Sequence, residues 1–236
     1  MPQRSSIIRD ALAIGVACAL YAVSYGVLAV AAGLSVAQTC AMSLLVFTGA
    51  SQFAVVGVIG TGGGAAAALA PALLLAARNA VYGLSLVPAF RAAGRGRAAR
   101  ALESQLIIDE STAMARAHEE NPHRAFLATG LSVFFFWNLG SLLGALAGSG
   151  LGDPRDYGLD AMFPAAFLAL LAPQLRRPGA PTGAIVGALI AVALLPFAPA
   201  GTPVLAAVVG VIPAMIVVRR ALERGASRGG DGAPAP

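Results

Sequence analysis

Long apolar runs separated by short polar links dominate the pattern of this chain. A helix needs about 20 predominantly apolar residues to cross the hydrocarbon core of a bilayer. Scanned with a window of that length, the pattern predicts an all-α integral membrane protein with about seven transmembrane helices. The predicted spans are Ala11–Ala32, Thr39–Ile59, Ala65–Phe90, Ala125–Ala147, Leu159–Leu175, Thr182–Ala198 and Pro203–Val218.

The third apolar run is the least regular of these segments. It contains Pro71, Pro88 and the polar pair Arg78-Asn79. Proline inside a helix removes a backbone hydrogen bond and bends or breaks the helix. The run therefore fits either one spanning helix or a broken third helix, made of two half-helices that meet at Arg78.

A short internal echo indicates a repeated architecture as an alternative to unrelated spans. Gly33-Leu34-Ser35 precedes the second run, and Gly158-Leu159-Asp160 precedes the fifth. A repeat of three spans has an odd number of crossings, so its second copy would be inverted, as in many transporters. The resulting division is an N-terminal tail 1–10, a first membrane repeat 11–90, a basic amphipathic loop 91–124, a second membrane repeat 125–218 and a disordered tail 219–236.

Composition supports a membrane protein and excludes other classes. Apolar types make up 58% and charged types 11% of the chain, where soluble domains average about 25% charged residues. All 16 basic residues are arginine, and apart from Arg78 they lie in loops or at the ends of runs. No basic-aromatic module that binds nucleic acid is visible. We therefore expect the chain to lie in a lipid bilayer and to bind no nucleic acid.

The arginine distribution predicts an orientation. With seven spans, the side that holds the loop 91–124, the link 176–181 and the C-terminal tail carries 12 arginines, and the other side carries 3. The positive-inside rule then places the long loop and the C-terminus in the cytoplasm and the N-terminus outside. A break in the third run would let both ends of that run share a side.

Arg78 is the sharpest chemical anomaly, because an arginine near the middle of a span is costly and faces the protein interior or water. A guanidinium matches a carboxylate in bidentate fashion, so Arg78 is a candidate carboxylate clamp. The alternative is a structural arginine that holds a broken helix together. Asp109 and Glu110 follow in the polar loop. They either pair with Arg78 or act as a gate, or they form a solvated acidic spot that balances nearby arginines.

Two further segments place polar or small residues inside apolar runs. Phe47–Phe53 contains Thr48, Gly49, Ser51 and Gln52, which fit either a binding site or helix–helix contacts. Asn138 follows a run of aromatic residues and precedes glycines 140, 144 and 148, whose spacing of four predicts close helix packing.

Several familiar chemical patterns are missing from the sequence. Gly60–Gly64 has no lysine after it to complete a phosphate loop, and the chain has no lysine for a retinal Schiff base. His118 and His123 have no cysteine beside them for a metal site. No Ser–His pair lies within the membrane runs. We therefore expect no enzymatic activity, no cofactor and no bound metal.

The same segments resemble the AzlC family over nearly the whole chain, from about residue 8 to residue 218. The resemblance rests on Gly33-Leu34-Ser35, Leu45–Phe53, Arg78–Leu86, Asp109–Thr112, Phe136-Trp137-Asn138, and Gly158-Leu159-Asp160 with Pro164 and Phe167. It implies the larger subunit of a branched-chain amino-acid exporter that works with a small AzlD-like membrane subunit. Related pairs export valine, leucine, isoleucine and, in some cases, methionine.

This chain departs from the family pattern around the arginine, where Ala76 and Asn79 stand in place of an asparagine and a histidine. A proton-carrying role for that histidine therefore does not apply here.

We therefore expect a multi-pass protein of the cytoplasmic membrane that exports branched-chain or similar apolar amino acids. No ATP-binding motif is visible, so an ion or voltage gradient would drive it. In this hypothesis Arg78 and a helix N-terminus at Gly49–Ser51 hold the substrate carboxylate. The predicted substrate-binding residues are Phe47, Gly49, Ser51, Gln52, Phe53, Arg78, Asn79, Tyr82 and Asn138, and the predicted gating or coupling residues are Asp109 and Glu110. The alternatives are a non-transporting membrane scaffold or sensor subunit, and an uptake permease.

Overall fold

The computed structural model describes residues 2–150, 165, 168, 171–172, 174–198 and 202–230, and the regular structure in these ranges is helical. The chain divides into two compact units, Met1–Asp160 and Ala161–Pro236. The predicted fifth span, Leu159–Leu175, lies largely outside the described residues, as do Gly158-Leu159-Asp160, Pro164 and Phe167.

Helices of very different lengths build the described part of both units. Those of the first unit are α1 (Pro2–Ala31), α2 (Val36–Val46), α3 (Gly49–Gly60), α4 (Ala65–Ala92), α5 (Arg97–Ser104), α6 (Asp109–Ala117) and α7 (Pro122–Gly150). Those of the second unit are α8 (Ala180–Leu194), α9 (Thr202–Ala206) and α10 (Val211–Gly230), with 3-10 segments at Gln174–Arg176 and Ala207–Gly210.

Four stretches among the described residues are long and apolar enough to cross a bilayer. They are Ser6–Ala31, Ala65–Ala92, Pro122–Gly150 and Thr202–Glu223. Over the described residues the structure is helical and has these four candidate spans, in agreement with the predicted all-α membrane fold. The predicted count of seven spans is not confirmed, because α2, α3 and α8 have 11, 12 and 15 residues, fewer than the about 20 that a crossing requires.

Helices α1 and α7 pack closely because glycines keep side chains out of their contact. A Cβ added at Gly144 would overlap the backbone of Val23, and one added at Gly148 would lie 3.1 Å from the Cα atom of Val27. The close packing predicted from the glycine spacing is therefore confirmed.

The same two helices run parallel. Ile7, near the start of α1, packs with Ala125, near the start of α7, and Val27 meets Gly148 near the other end of both helices. The start of α1 and the segment that leads into α7 therefore lie at one end of the first unit, which we call the basic end. The expectation that the N-terminus and the long loop lie on opposite sides is contradicted. Inverted repeats beginning with these two helices would make them antiparallel, so the predicted inversion does not hold for this pair.

Helices α2 and α3 are separated by a break. Ser35 caps α2 reciprocally, since its Oγ accepts the N–H of Gln38 and the Gln38 side chain accepts the N–H of Ser35. Helix α2 ends at Phe47, whose φ of 46° is left-handed, and α3 begins after the extended residue Thr48. The predicted second span, Thr39–Ile59, is therefore two short helices.

These two helices form a hairpin. The hairpin enters the first unit from the end opposite the basic end, reverses at the break, and returns to the end from which it entered. The Tyr25 hydroxyl donates to the carbonyl of Thr39 at 3.1 Å, and further along α2 the Phe47 ring lies 4.9 Å from that of Phe134. Helix α2 therefore descends to the middle of α7. Phe53 on α3 is again beside Tyr25, with ring centroids 6.0 Å apart, so α3 runs back.

Helix α4 is continuous through Pro71, Arg78 and Pro88, so of the two alternatives for the third run the structure has the single helix and not the broken one. Phe90 packs against Phe126, near the start of α7, and α4 therefore ends at the basic end. Proline is tolerated in membrane helices because neighbouring helices satisfy the freed backbone groups. The break lies between α2 and α3 instead.

Helices α5 and α6 reach from the basic end into the first unit. A Cβ added at Gly130 on α7 would lie 2.8 Å from Cβ of Leu106, which follows α5. Asp109, the first residue of α6, contacts Arg78 in the middle of α4. The start of α6 therefore lies at the same depth as the break between α2 and α3.

In the second unit, α8 and α10 pack against each other through glycine. A Cβ added at Gly183 on α8 would lie 3.2 Å from Cβ of Ala214 on α10. Helix α10 continues to Gly230, where the sequence predicted a disordered tail from residue 219. Arg219 and Glu223 support this extension with an ion pair at 2.9 Å, at the i,i+4 spacing that stabilises helices. Residues 231–236 lie outside the described residues.

Candidate functional site

The candidate site forms where α3 begins, beside Trp137 near the middle of α7. A Cβ added at Gly49 would lie 2.7 Å from the Trp137 ring, so only glycine lets the indole cover the start of this helix. The Trp137 Nε1–H donates to Oε1 of Gln52 at 2.9 Å, and the ring stacks on Tyr25 with centroids 6.3 Å apart. The Gln52 side chain is fully buried, and its Nε2 has no hydrogen-bond partner among the described residues.

The N-terminus of α3 lacks the usual side-chain cap. Thr48 occupies the N-cap position without bonding to the N–H groups of the first turn. Its Oγ1 donates instead to the carbonyl of Val46 at 3.1 Å and accepts a hydrogen bond from Nδ2 of Asn79 at 3.3 Å. Ser51 ties α3 to α4 by donating to the carbonyl of Ala72 at 2.9 Å. The positive end of the helix dipole at Gly49–Ser51 therefore has no side-chain cap.

Arg78 and Asp109 form an ion pair close to this helix start. The Arg78 Nη1 lies 3.0 Å from Oδ2 of Asp109, and the two side chains are 39% and 41% exposed. Arg78 Nε and Asp109 Oδ1 are buried and have no hydrogen-bond partner among the described residues. Glu110 points to α1 instead, where the thiol of Cys18 lies 3.9 Å from its Oε1.

The remaining predicted residues surround this cluster in different ways. Phe47 and Phe53 are buried and pack against the rings of Phe134 and Tyr25. Tyr82 lies one helical turn after Arg78 on α4, and the side chain is partly buried. The structure thus brings seven of the predicted polar or small residues to one depth, and the two phenylalanines pack around them. The seven residues are Gly49, Ser51, Gln52, Arg78, Asn79, Asp109 and Asn138.

Asn138 is held within its own helix. Its Nδ2 donates to the carbonyl of Phe134 at 2.7 Å, and its Oδ1 is buried without a partner among the described residues. This residue therefore keeps one acceptor free beside the Trp137–Gln52 pair.

Sequence reasoning missed two contributors to the site. Trp137 belongs to an aromatic run in the sequence, but its bond to Gln52 depends on a chain reversal that no local pattern reveals. Gln105 donates through Nε2 to the carbonyls of Leu44 and Leu45, at 3.1 and 3.0 Å, and so satisfies the last turn of α2. Nothing in the sequence around Gln105 signals this contact.

A second charged cluster lies at the basic end. Glu103 is almost fully buried and accepts from Arg95 at 2.8 Å and from His123 at 3.0 Å. Burial by itself raises the pKa of the Glu103 carboxyl, but hydrogen bonds and charge from His123 and Arg95 outweigh this effect and lower the pKa below its ordinary value. The cluster therefore ties α5 and the preceding link to the start of α7.

In the part of the chain that the structure describes, these features are those of a helical membrane protein with polar side chains gathered where α2 ends and α3 begins. The chain belongs to the AzlC family: the family described as AzlC protein matches residues 13–151, which is more than half of the chain. The chain is also similar to the inner membrane protein YgaZ of Escherichia coli (strain K12), with 26% identity over 195 residues that cover 79% of this chain and 80% of that protein. No solved structure matches the chain significantly.

Proposed function

We propose that this chain is a secondary transporter that exports branched-chain and similar apolar amino acids, together with a small AzlD-like membrane subunit. Membership of the AzlC family supports this proposal. The observation that carries it is the uncapped start of α3 beside Arg78, halfway along the spanning helices α4 and α7. Half-helices whose N-termini meet anionic groups near the midplane are a recurring site in secondary transporters.

The proposed binding mode follows from the charges at this site. Arg78 and the N–H groups of Gly49–Ser51 hold the substrate carboxylate. Gln52 and Asn138 each present a buried polar atom with no partner among the described residues, and these atoms line the path with Asn79 and Tyr82. The surrounding apolar side chains, including those packed around Phe47 and Phe53, favour an aliphatic substrate.

Gating is the role we propose for the start of α6. Asp109 holds Arg78, and Glu110 faces α1, so movement of α6 changes the charge balance on two spanning helices at once. We propose Glu110 as the coupling group because its side chain meets the neutral thiol of Cys18 rather than a cation.

The proposed orientation places the basic end in the cytoplasm. Eight of the nine arginines in residues 1–150 lie toward this end, whereas the links 32–35 and 61–64 at the opposite end carry no charged residue. The positive-inside rule favours this arrangement, which also places the N-terminus in the cytoplasm.

Counterflow of labelled leucine tests the proposal in membrane vesicles from cells that produce the full chain, with and without the small subunit. We expect Arg78→Ala to abolish counterflow and Arg78→Lys to retain part of it, because lysine keeps the charge but loses the planar fork. The matched control is Arg9→Ala, which removes an arginine whose side chain is 79% exposed and paired with Asp10.

Membrane levels of each variant are measured alongside the flux. Full counterflow by Arg78→Ala contradicts the site. No counterflow by the unmodified protein above vesicles that lack it contradicts transport and favours the scaffold or sensor alternative.

A further inference from the structure

The ion pair between Arg78 and Asp109 is incomplete. One nitrogen of the guanidinium meets one oxygen of the carboxylate, at 3.0 Å. Arg78 Nε and Asp109 Oδ1 are buried and lack hydrogen-bond partners among the described residues. A pair whose main purpose was to neutralise a buried arginine would be expected to use the two parallel bonds that arginine and carboxylate readily form.

The pair also remains open to a ligand. Each side chain is about two-fifths exposed, although both lie at the depth of the break between α2 and α3. Charged groups at this depth face water, protein or ligand and not hydrocarbon. The uncapped start of α3 and the unpartnered Nε2 of the fully buried Gln52 lie in the same region.

From these contacts we infer that the substrate binds as a zwitterion that replaces the Arg78–Asp109 pair. The substrate carboxylate takes the place of Asp109 on the guanidinium, and the substrate ammonium binds the released Asp109 carboxylate. Asp109 is then the ammonium acceptor as well as part of the gate. This inference rests on the proposed transport function and specifies how its site selects substrates.

Charge conservation is the physical basis of this exchange. The Arg78–Asp109 pair contributes one positive and one negative group, and the substrate adds a zwitterion, so loading leaves the net charge of the site unchanged. An amine or a carboxylic acid alone would leave one charge unpaired at this depth, which is strongly unfavourable. The site therefore selects α-amino acids over molecules with only one of the two groups.

Competition in the unmodified protein tests the inference without any risk of misfolding. Vesicles holding the full chain exchange labelled leucine against unlabelled leucine, 4-methylpentanoate, which lacks the amino group, or 3-methylbutylamine, which lacks the carboxylate. We expect both analogues to compete at least about tenfold less well than leucine, because each leaves an unpaired charge. Equal competition by either analogue overturns the inference and leaves transport intact, whereas no leucine exchange at all overturns both.

The variant Asp109→Asn tests the role of Asp109 directly. With the carboxylate gone, leucine loses its ammonium partner and 4-methylpentanoate meets an uncompensated Arg78. We expect the preference for leucine over 4-methylpentanoate to fall about tenfold or more. The matched control Asp10→Asn removes a carboxylate from the exposed pair with Arg9 and should keep the preference. An unchanged preference in an exchanging Asp109→Asn variant overturns the inference; if that variant does not reach the membrane, the competition experiment decides alone.

Discussion

At the scale of single residues, the bond between Trp137 and Gln52 joins α7 to the first turn of α3. Both side chains are buried, and the bond length is 2.9 Å. A buried acceptor that loses its donor costs about 1–3 kcal/mol, whereas removing both partners can be nearly neutral. This asymmetry makes the pair a measurable determinant of the geometry of the site.

We therefore expect Trp137→Phe to lower the free energy of unfolding by about 1–3 kcal/mol, because Gln52 Oε1 loses its donor while the aromatic packing on Tyr25 is largely kept. Adding Gln52→Leu to this variant should recover part of the loss. The measurement is denaturant unfolding of the purified protein in detergent, for both single variants and the double variant. Costs that simply add would contradict the claim that these two side chains depend on each other.

The polar residues of the site could be predicted from the sequence, because polar groups in an apolar run must find partners. Arg78 and Gln52 stand out for this reason, whereas Asp109 lies in the polar loop and is a candidate as a partner for Arg78 or as a gate. Which contacts form could not be predicted, since the bond from Trp137 to Gln52 and the pair between Arg78 and Asp109 join residues far apart in sequence.

At the scale of secondary-structure elements, the decisive feature is the hairpin formed by α2 and α3. Local rules left a break possible in the third run, where Pro71, Pro88 and Arg78 occur together, and α4 is continuous there. The break occurs where Phe47 adopts a left-handed φ and Thr48 is extended. Asn79 and Gln105 support it by bonding to Thr48 Oγ1 and to the last carbonyls of α2. Tertiary partners, rather than local propensity, therefore decide where the helix breaks.

The Glu103 carboxyl, which joins α5 to the start of α7 through His123, predicts that the stability of the protein depends on pH. The pKa of Glu103 is lowered in the folded state, so its stabilising contribution is present above its ordinary value of 4.5 and is lost as the pH falls through the folded value. We expect Glu103→Gln to lower the melting temperature at pH 6 and to make little difference at pH values below the folded pKa. The measurement is melting temperature against pH for the wild type and the variant.

Glu223→Gln is the matched control, since its exposed pair with Arg219 contributes little. A wild-type advantage over Glu103→Gln that persists unchanged at low pH would contradict the assignment.

At the scale of the whole molecule, the parallel arrangement of α1 and α7 determines which segments share a side. The start of α1, the end of α4 and the start of α7 all lie at the basic end. The arginine count over seven spans predicts that the N-terminus lies outside, because that count treats α2 and α3 as one crossing. The re-entrant hairpin removes that crossing, and the arginines of the first unit then lie almost entirely at one end.

We propose that substrate binds at the start of α3, inside a path that water can reach. The most direct test of this proposal is the rate at which a small thiol-specific reagent modifies a cysteine at Ala50, in the first turn of α3, after Cys18 and Cys40 have been replaced by serine. The control is Gly64→Cys, because a Cβ at Gly64 meets nothing within 4 Å and the residue lies in the link at the end opposite the basic end. We predict that leucine slows modification of Ala50→Cys by about tenfold or more and leaves Gly64→Cys unaffected, since a bound carboxylate covers the helix start. An Ala50→Cys variant that reacts equally fast with and without leucine, or does not react at all, contradicts the account.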